Sequence, residues 1–173
     1  MFTFIVGAIA AAILFAISPV PARSHDGIVH DSCTAEDAVA GDLTVSGGFS
    51  RATLPNAPVG AGYLSITNAG GSADRLVGAS SAVAATVELH TMSQEGGMMK
   101  MAQLTDGIPL PPGETVTLEP GGMHIMFIGP NQPFVEGECV ALTLRFEQAG
   151  DLPVMLKIGP VGARGAPGEH AGH

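Results

Sequence analysis

The chain has 173 residues, 46% of them hydrophobic and only 13% charged, with 24 glycines and 13 prolines. That mix favours short strands joined by turns, and the length gives one domain with extras. Sixteen acidic against seven basic residues leave a formal net charge of −9, which excludes the basic footprint of a nucleic-acid binder.

In chain order, Phe4 to Val20 is an apolar run of 17 residues followed by Pro-Ala-Arg-Ser, where small residues permit cleavage after Ala22 or Ser24. This is the pattern of a signal peptide over residues 1–24, and hence of export without stable membrane insertion once cleaved. No Lys or Arg precedes the run, so an uncleaved signal-anchor is the alternative; the run is at the short limit for a span. Cleavage would leave Arg23-Ser24-His25 or His25 itself at the new terminus, and either offers an amine and an imidazole to Cu(II). Residues 25–41 read as a polar tether.

From residue 42 to 160 alternating segments follow one another: DLTVSGGFSRAT, GYLSITNAG, RLVGASS, ATVELHTM, MMKMAQL, ETVTLEP, MHIMFIGP, CVALTLRFEQ and PVMLKIGP. Gly, Pro or Asn-Ala-Gly separates them every 8–12 residues or so, as in an all-β sandwich or barrel. Residues 161–173 are a Gly/Ala-rich flexible tail whose His170 and His173 form a candidate Cu(II) site.

Cys33 and Cys139 are the only cysteines and stand 106 positions apart. Neither lies in a CxxC motif or beside a histidine, so a structural disulfide is expected over metal ligation or redox exchange. Closing so long a loop stabilises by about 4–5 kcal/mol on chain entropy.

Six of the eight methionines fall between Met92 and Met126, with His124 among them and His90 just upstream. Thioethers and imidazoles without thiolates suit a soft cation such as Cu(I). Side chains alternate across a strand. Val87 and Leu89 therefore mark a core face, and Glu88, His90 and Met92 take the other. Met123, Ile125 and Phe127 likewise face the core, with His124 and Met126 opposite. Met123 and Met155 read as core fillers among apolar neighbours. After the Gly96-Gly97 turn, Met99 and Met101 share one face, while Met98 and Lys100 share the other; alternation alone leaves open which of these faces the histidines.

The spacing resembles the periplasmic copper chaperone family PCuAC, whose motif is His, ten residues, Met, twenty-one residues, then His-x-Met. His90, Met101 and His124-Ile125-Met126 follow it, with 22 residues between Met101 and His124, one more than the pattern. The extra residue fits the AQLTDGIPLPPGE turn, and Met99 remains an alternative to Met101. The likeness extends over residues 41–159, through GDLTVSG, RATLPNAPVGAGYLSITNAG and GGMHIMFIGP. Gly48-Phe49-Ser50 stands where the family often has a His-Pro-Trp-like triplet.

The resemblance implies a cupredoxin-like (immunoglobulin-like) Greek-key β-sandwich, monomeric and periplasmic. It would hold Cu(I) through His90, Met101, His124 and Met126; strand alternation leaves Met92 and Met99 as auxiliary candidates. It also implies delivery towards the copper subunit of cytochrome c oxidase, alongside a Sco-like thioredoxin-fold protein. Three rivals stand beside it: a cupredoxin-like electron carrier, a methionine-rich copper-resistance or storage protein, and a binding module without metal. An electron carrier needs a Cys thiolate ligand. No nucleophile elbow, catalytic carboxylate pair or phosphate loop suggests an enzyme.

Overall fold

The computed structural model describes residues 28–29, 33 and 35–167. Twelve strands are present: β1 Ile28–Val29, β2 Ala38–Ala40, β3 Leu43–Arg51, β4 Val59–Asn68, β5 Asp74–Ser80 and β6 Ala84–Glu95, then β7 Met98–Gln103, β8 Ile108–Leu110, β9 Thr115–Leu118, β10 His124–Pro130, β11 Cys139–Phe146 and β12 Asp151–Gly159. There is no helix among the described residues. The hydrogen-bonded order is β7-β6-β10-β4-β3-β12-β11-β5-β8, with β1 on β11, β2 on β3 and β9 on β4. Every pairing is antiparallel except β12 with β3, which makes the sheet mixed. The fold is the expected all-β, cupredoxin-like one.

Alternation builds a single core. Leu152, Val154, Leu156 and Ile158 of β12 are buried, as are Ile125 and Phe127 of β10. The two halves meet closely at β4: a Cβ added at Gly62 would stand 2.7 Å from Leu156 and 3.1 Å from the Phe127 ring. Gly60 is equally constrained, because its Cβ would strike the Phe134 ring at 2.7 Å. Those two glycines let the ring pair Phe127–Phe134 pack edge to face at 5.2 Å.

Several details differ from the sequence reading. Two short strands precede residue 42: Ala38–Ala40 pairs with β3, and Val29 sits opposite Cys139. Three residues of Ala-Val-Ala give too little alternation to register as a strand. Ile108–Leu110 is also a strand, on an outer edge where the missing N–H of Pro109 is tolerated. Met155 is not in the core: it is half-buried on the face of β12 opposite Val154 and Leu156. Met123, by contrast, packs against the core. The disulfide joins Cys33 to Cys139 with the two Cα atoms 5.9 Å apart. Past Pro160, Arg51 Nε donates to the Ala163 carbonyl at 2.8 Å. The signal segment, His25, His170 and His173 lie outside the described residues.

Candidate metal centre

One end of the sheet is β7-β6-β10. Leu89 and Ile125 are direct cross-strand partners and are 3% and 0% exposed, so they form the core side of this end. On the other side His90 stands directly opposite His124, with ring centroids 5.8 Å apart and planes tilted by 39°. Facing away from the core has not left these rings in water: both histidines are buried.

Each ring has one nitrogen engaged. Glu88, two residues before His90 on the same face, puts Oε2 at 2.8 Å from His90 Nε2. With a carboxylate there, Nε2 carries the proton and donates. Nδ1 is then the lone-pair nitrogen, and it is buried with no hydrogen-bond partner. In His124 the polarity is reversed. Nδ1–H donates to the Gly122 carbonyl at 3.1 Å, which leaves Nε2 with the lone pair. That carbonyl also accepts the Met92 backbone N–H at 3.1 Å. Burial, and secondarily the nearby His90, lower the His124 pKa against the opposing effect of the Gly122 bond. His124 is therefore held neutral, the form that ligates metal.

The thioethers flank this pair. Met126 follows His124 by two residues on the same face and sits opposite Glu88. Across the hairpin, Met92 is directly opposite Met101, and Met99 is opposite Gln94. Register thus settles what alternation left open: Met99 and Met101 share the histidine face, and Met98 does not. Met98 stands opposite Glu95 on the far face, where Lys100 pairs with the Glu95 carboxylate.

His90-Thr91-Met92 and His124-Ile125-Met126 run antiparallel with histidine facing histidine, so a local two-fold relates Met92 to Met126. Sheet geometry places each of these methionines roughly 7–8 Å along a diagonal from the opposite histidine. Met101 lies one strand further out, beyond Met92. The structure therefore pairs His90 with His124, sets Met92 and Met126 on either side of that pair, and places Met101 beyond Met92 with Met99, both about half exposed at 51% and 55%. Sequence reasoning did not single out Glu88 or Gly122 as partners of the rings. The Glu-x-His spacing on one face was the available signal for Glu88; no sequence signal marks a backbone carbonyl.

A family model for LpqE-like lipoproteins matches residues 43–158, more than half of the chain. The lipoprotein Lxx21020 of Leifsonia xyli subsp. xyli is 33% identical over 98 residues, a stretch covering 57% of this chain and 59% of that protein. The copper-bound PCuAC domain from PmoF2 superposes with a TM-score of 0.61 at 26% identity, covering 72% of this chain and 98% of that domain. Cu(I)-DR1885 from Deinococcus radiodurans matches with a TM-score of 0.54 at 30% identity, covering 65% of this chain and 75% of that one. The chain belongs to the LpqE-like family, a PCuAC-type domain.

The matched PCuAC-type region runs from the first residue of β3 to Ile158 near the end of β12, so it contains all three site strands. Its donors fit a soft cation. Among the described residues no three His, Cys, Asp or Glu gather as a metal cage, and the Glu88 carboxylate is engaged by His90 Nε2, while thioethers flank the histidine pair. A buried lone-pair nitrogen without a partner is a cost that a bound cation would relieve. Cys139 is fully buried in its disulfide, so it supplies no thiolate for a blue-copper centre.

Proposed function

We propose that this PCuAC-type domain is an exported copper chaperone that holds one Cu(I) tightly through His90, His124, Met126 and Met101. The observation that carries this is the cross-strand histidine pair, each ring with one nitrogen fixed by a hydrogen bond and the other free. Two imidazoles with thioethers form an uncharged soft donor set, which favours Cu(I) over Cu(II). Cu(I), like Zn(II), is d¹⁰ and has little electronic preference for geometry, so ligands can be exchanged one at a time. Half-exposed Met101 marks the side from which an acceptor reaches the ion. Copper-bound PmoF2 and Cu(I)-DR1885 support the choice of metal.

The acceptor we favour is the copper subunit of cytochrome c oxidase, reached alongside a Sco-like protein, as the family motif implies. Export to the periplasm is supported by the signal pattern, the lipoprotein relatives and a disulfide suited to an oxidising compartment. No helix among the described residues is long and apolar enough to cross a membrane. The tail pair His170 and His173 is proposed as a Cu(II) ligand pair; a chain ending at Pro167 with undiminished Cu(II) uptake would end that part of the reading.

The decisive experiment titrates Cu(I) against a chromogenic competitor with wild type and His124→Ala. One tightly held equivalent, absent in the variant, is expected. Equal binding by both proteins would return the cluster to packing.

A further inference from the structure

The β6–β7 hairpin carries more sulfur than one ion needs. Its two-residue turn has Gly96 and Gly97 both at positive φ, +59° and +80°, the conformation of a tight type I′ hairpin. That turn sets Glu95 opposite Met98 and so fixes every pairing down the hairpin. A slip of one residue would turn Met98 and Lys100 onto the histidine face and put an ammonium beside the metal. In the observed register that face holds Met92, Met99 and Met101 with the neutral amide of Gln94, while Lys100 and Glu95 pair on the reverse. Met92 and Met101, being directly opposite, have Cβ atoms roughly 5 Å apart, and Met99 lies on the neighbouring diagonal. Met92 is half-buried, and its backbone N–H is tied to the Gly122 carbonyl that also orients His124.

We propose that Met92, Met99 and Met101 form a second, outer site for a soft monovalent cation, sharing Met101 with the inner site and serving as its entry and exit. The proposal rests on the inner site assigned above. Three thioethers without imidazole hold the ion more weakly and in more exposed surroundings than the histidine pair does. Inward transfer breaks the bonds from the ion to Met99 and Met92 as bonds to His90 Nδ1, His124 Nε2 and Met126 form, with Met101 kept throughout. The ion stays Cu(I). No electron moves, and no proton either, because the thioethers and the lone-pair nitrogens carry none. Sulfur-only donors also exclude hard divalent ions from the entry.

Ag(I), a soft probe that does not change oxidation state here, tests this in full-length protein labelled at the methionine methyls. The first equivalent is expected to move the Met126 and Met101 signals, and a weaker second equivalent those of Met92 and Met99. Met99→Ile should abolish the second equivalent and slow withdrawal of Cu(I) by a chromogenic chelator by about tenfold. Met98→Ile, on the reverse face of the same strand, should behave as wild type. Shifts at Met126 with none at Met92 and Met99 would overturn this proposal alone. First-equivalent shifts confined to the hairpin would overturn it together with the inner site. A Met98→Ile protein as impaired as Met99→Ile would show unspecific sulfur binding and also overturn it.

Discussion

Asp74 and His90 are both polar groups set against the same apolar core, at opposite ends of the sheet. They use their polar atoms differently. Asp74 Oδ1 accepts the backbone N–H groups of Arg75 at 2.7 Å and Gln148 at 3.0 Å, and Oδ2 accepts that of Ala149 at 3.0 Å. Both oxygens are engaged, and the result pins the β11–β12 loop to β5. At the other end His90 has Nε2 engaged by Glu88 and Nδ1 buried with nothing to bond. A cluster whose polar atoms are all satisfied has nothing left to offer a ligand; one with a buried, unpartnered lone pair keeps a donor in hand, as the proposed copper site requires.

The comparison breaks most visibly at Glu88. Replacing Glu88 with Leu removes the acceptor that holds the proton on His90 Nε2, so Nδ1 no longer keeps the lone pair in every molecule. A lost outer partner of a ligating histidine typically costs about 10–100-fold in metal affinity, and that loss is expected for Cu(I). Competitor titration reads the affinity, and ¹⁵N shifts of the His90 ring in metal-free protein read the tautomer. An unchanged tautomer in Glu88→Leu would remove Glu88 from the site.

At the closed end the effect should fall on stability alone. Asp74→Asn swaps one acceptor oxygen for a donor facing an N–H, with an expected loss of roughly 1–2 kcal/mol and unchanged Cu(I) affinity. Burial alone would raise the Asp74 pKa, but the hydrogen bonds from Arg75, Gln148 and Ala149 outweigh it and the net shift is downward. A carboxylate with a depressed folded pKa stabilises above its unfolded value of about 3.9 and loses that stabilisation as the pH falls through the folded one. Melting temperatures of wild type and Asp74→Asn should therefore differ at pH 7 and converge as the pH falls through the depressed folded value. A gap that widens in acid would contradict the assignment.

The histidine end of this contrast was legible in the sequence; the Asp74 end was not. Period-two alternation in ATVELHTM and MHIMFIGP put His90, Met92, His124 and Met126 on one face, because a strand backed by Leu89 and Ile125 has only two sides. Which face β7 offers depends on how a two-glycine turn closes, and alternation within MMKMAQ carries no such information. That His90 meets His124 is a register between strands more than thirty residues apart, fixed by the whole sheet. The nitrogen each ring leaves free is a hydrogen-bond choice involving Glu88 and a backbone carbonyl, which lies below what residue spacing encodes.

The hairpin turn offers a smaller perturbation. Gly97→Val places a β-branched residue at φ +80°, where a left-handed conformation costs roughly 1–2 kcal/mol. Fraying should be local, because β7 is exposed along its whole length and packs no core residue. Amide exchange should accelerate through Met98–Gln103 while β10 keeps its protection. Uniform acceleration across both strands would mean that the hairpin belongs to the cooperative core after all.

The smallest expected effect is the most telling for the comparison. His90→Leu in metal-free protein removes a buried nitrogen that has no partner and puts apolar volume in its place. The Glu88 carboxylate loses its hydrogen bond but keeps a quarter of its side chain in water, so it is not stranded. The two changes oppose each other, and the net effect should lie within about 0.5 kcal/mol of zero, or be slightly stabilising. Asp74→Leu at the closed end strands three N–H donors and should cost roughly 1–3 kcal/mol. Urea midpoints of the two variants, with unchanged slopes, measure the difference directly. A His90→Leu loss as large as that of Asp74→Leu would show that the ring is structural, whereas a near-neutral change with Cu(I) binding abolished would show that the fold keeps this histidine for the cation.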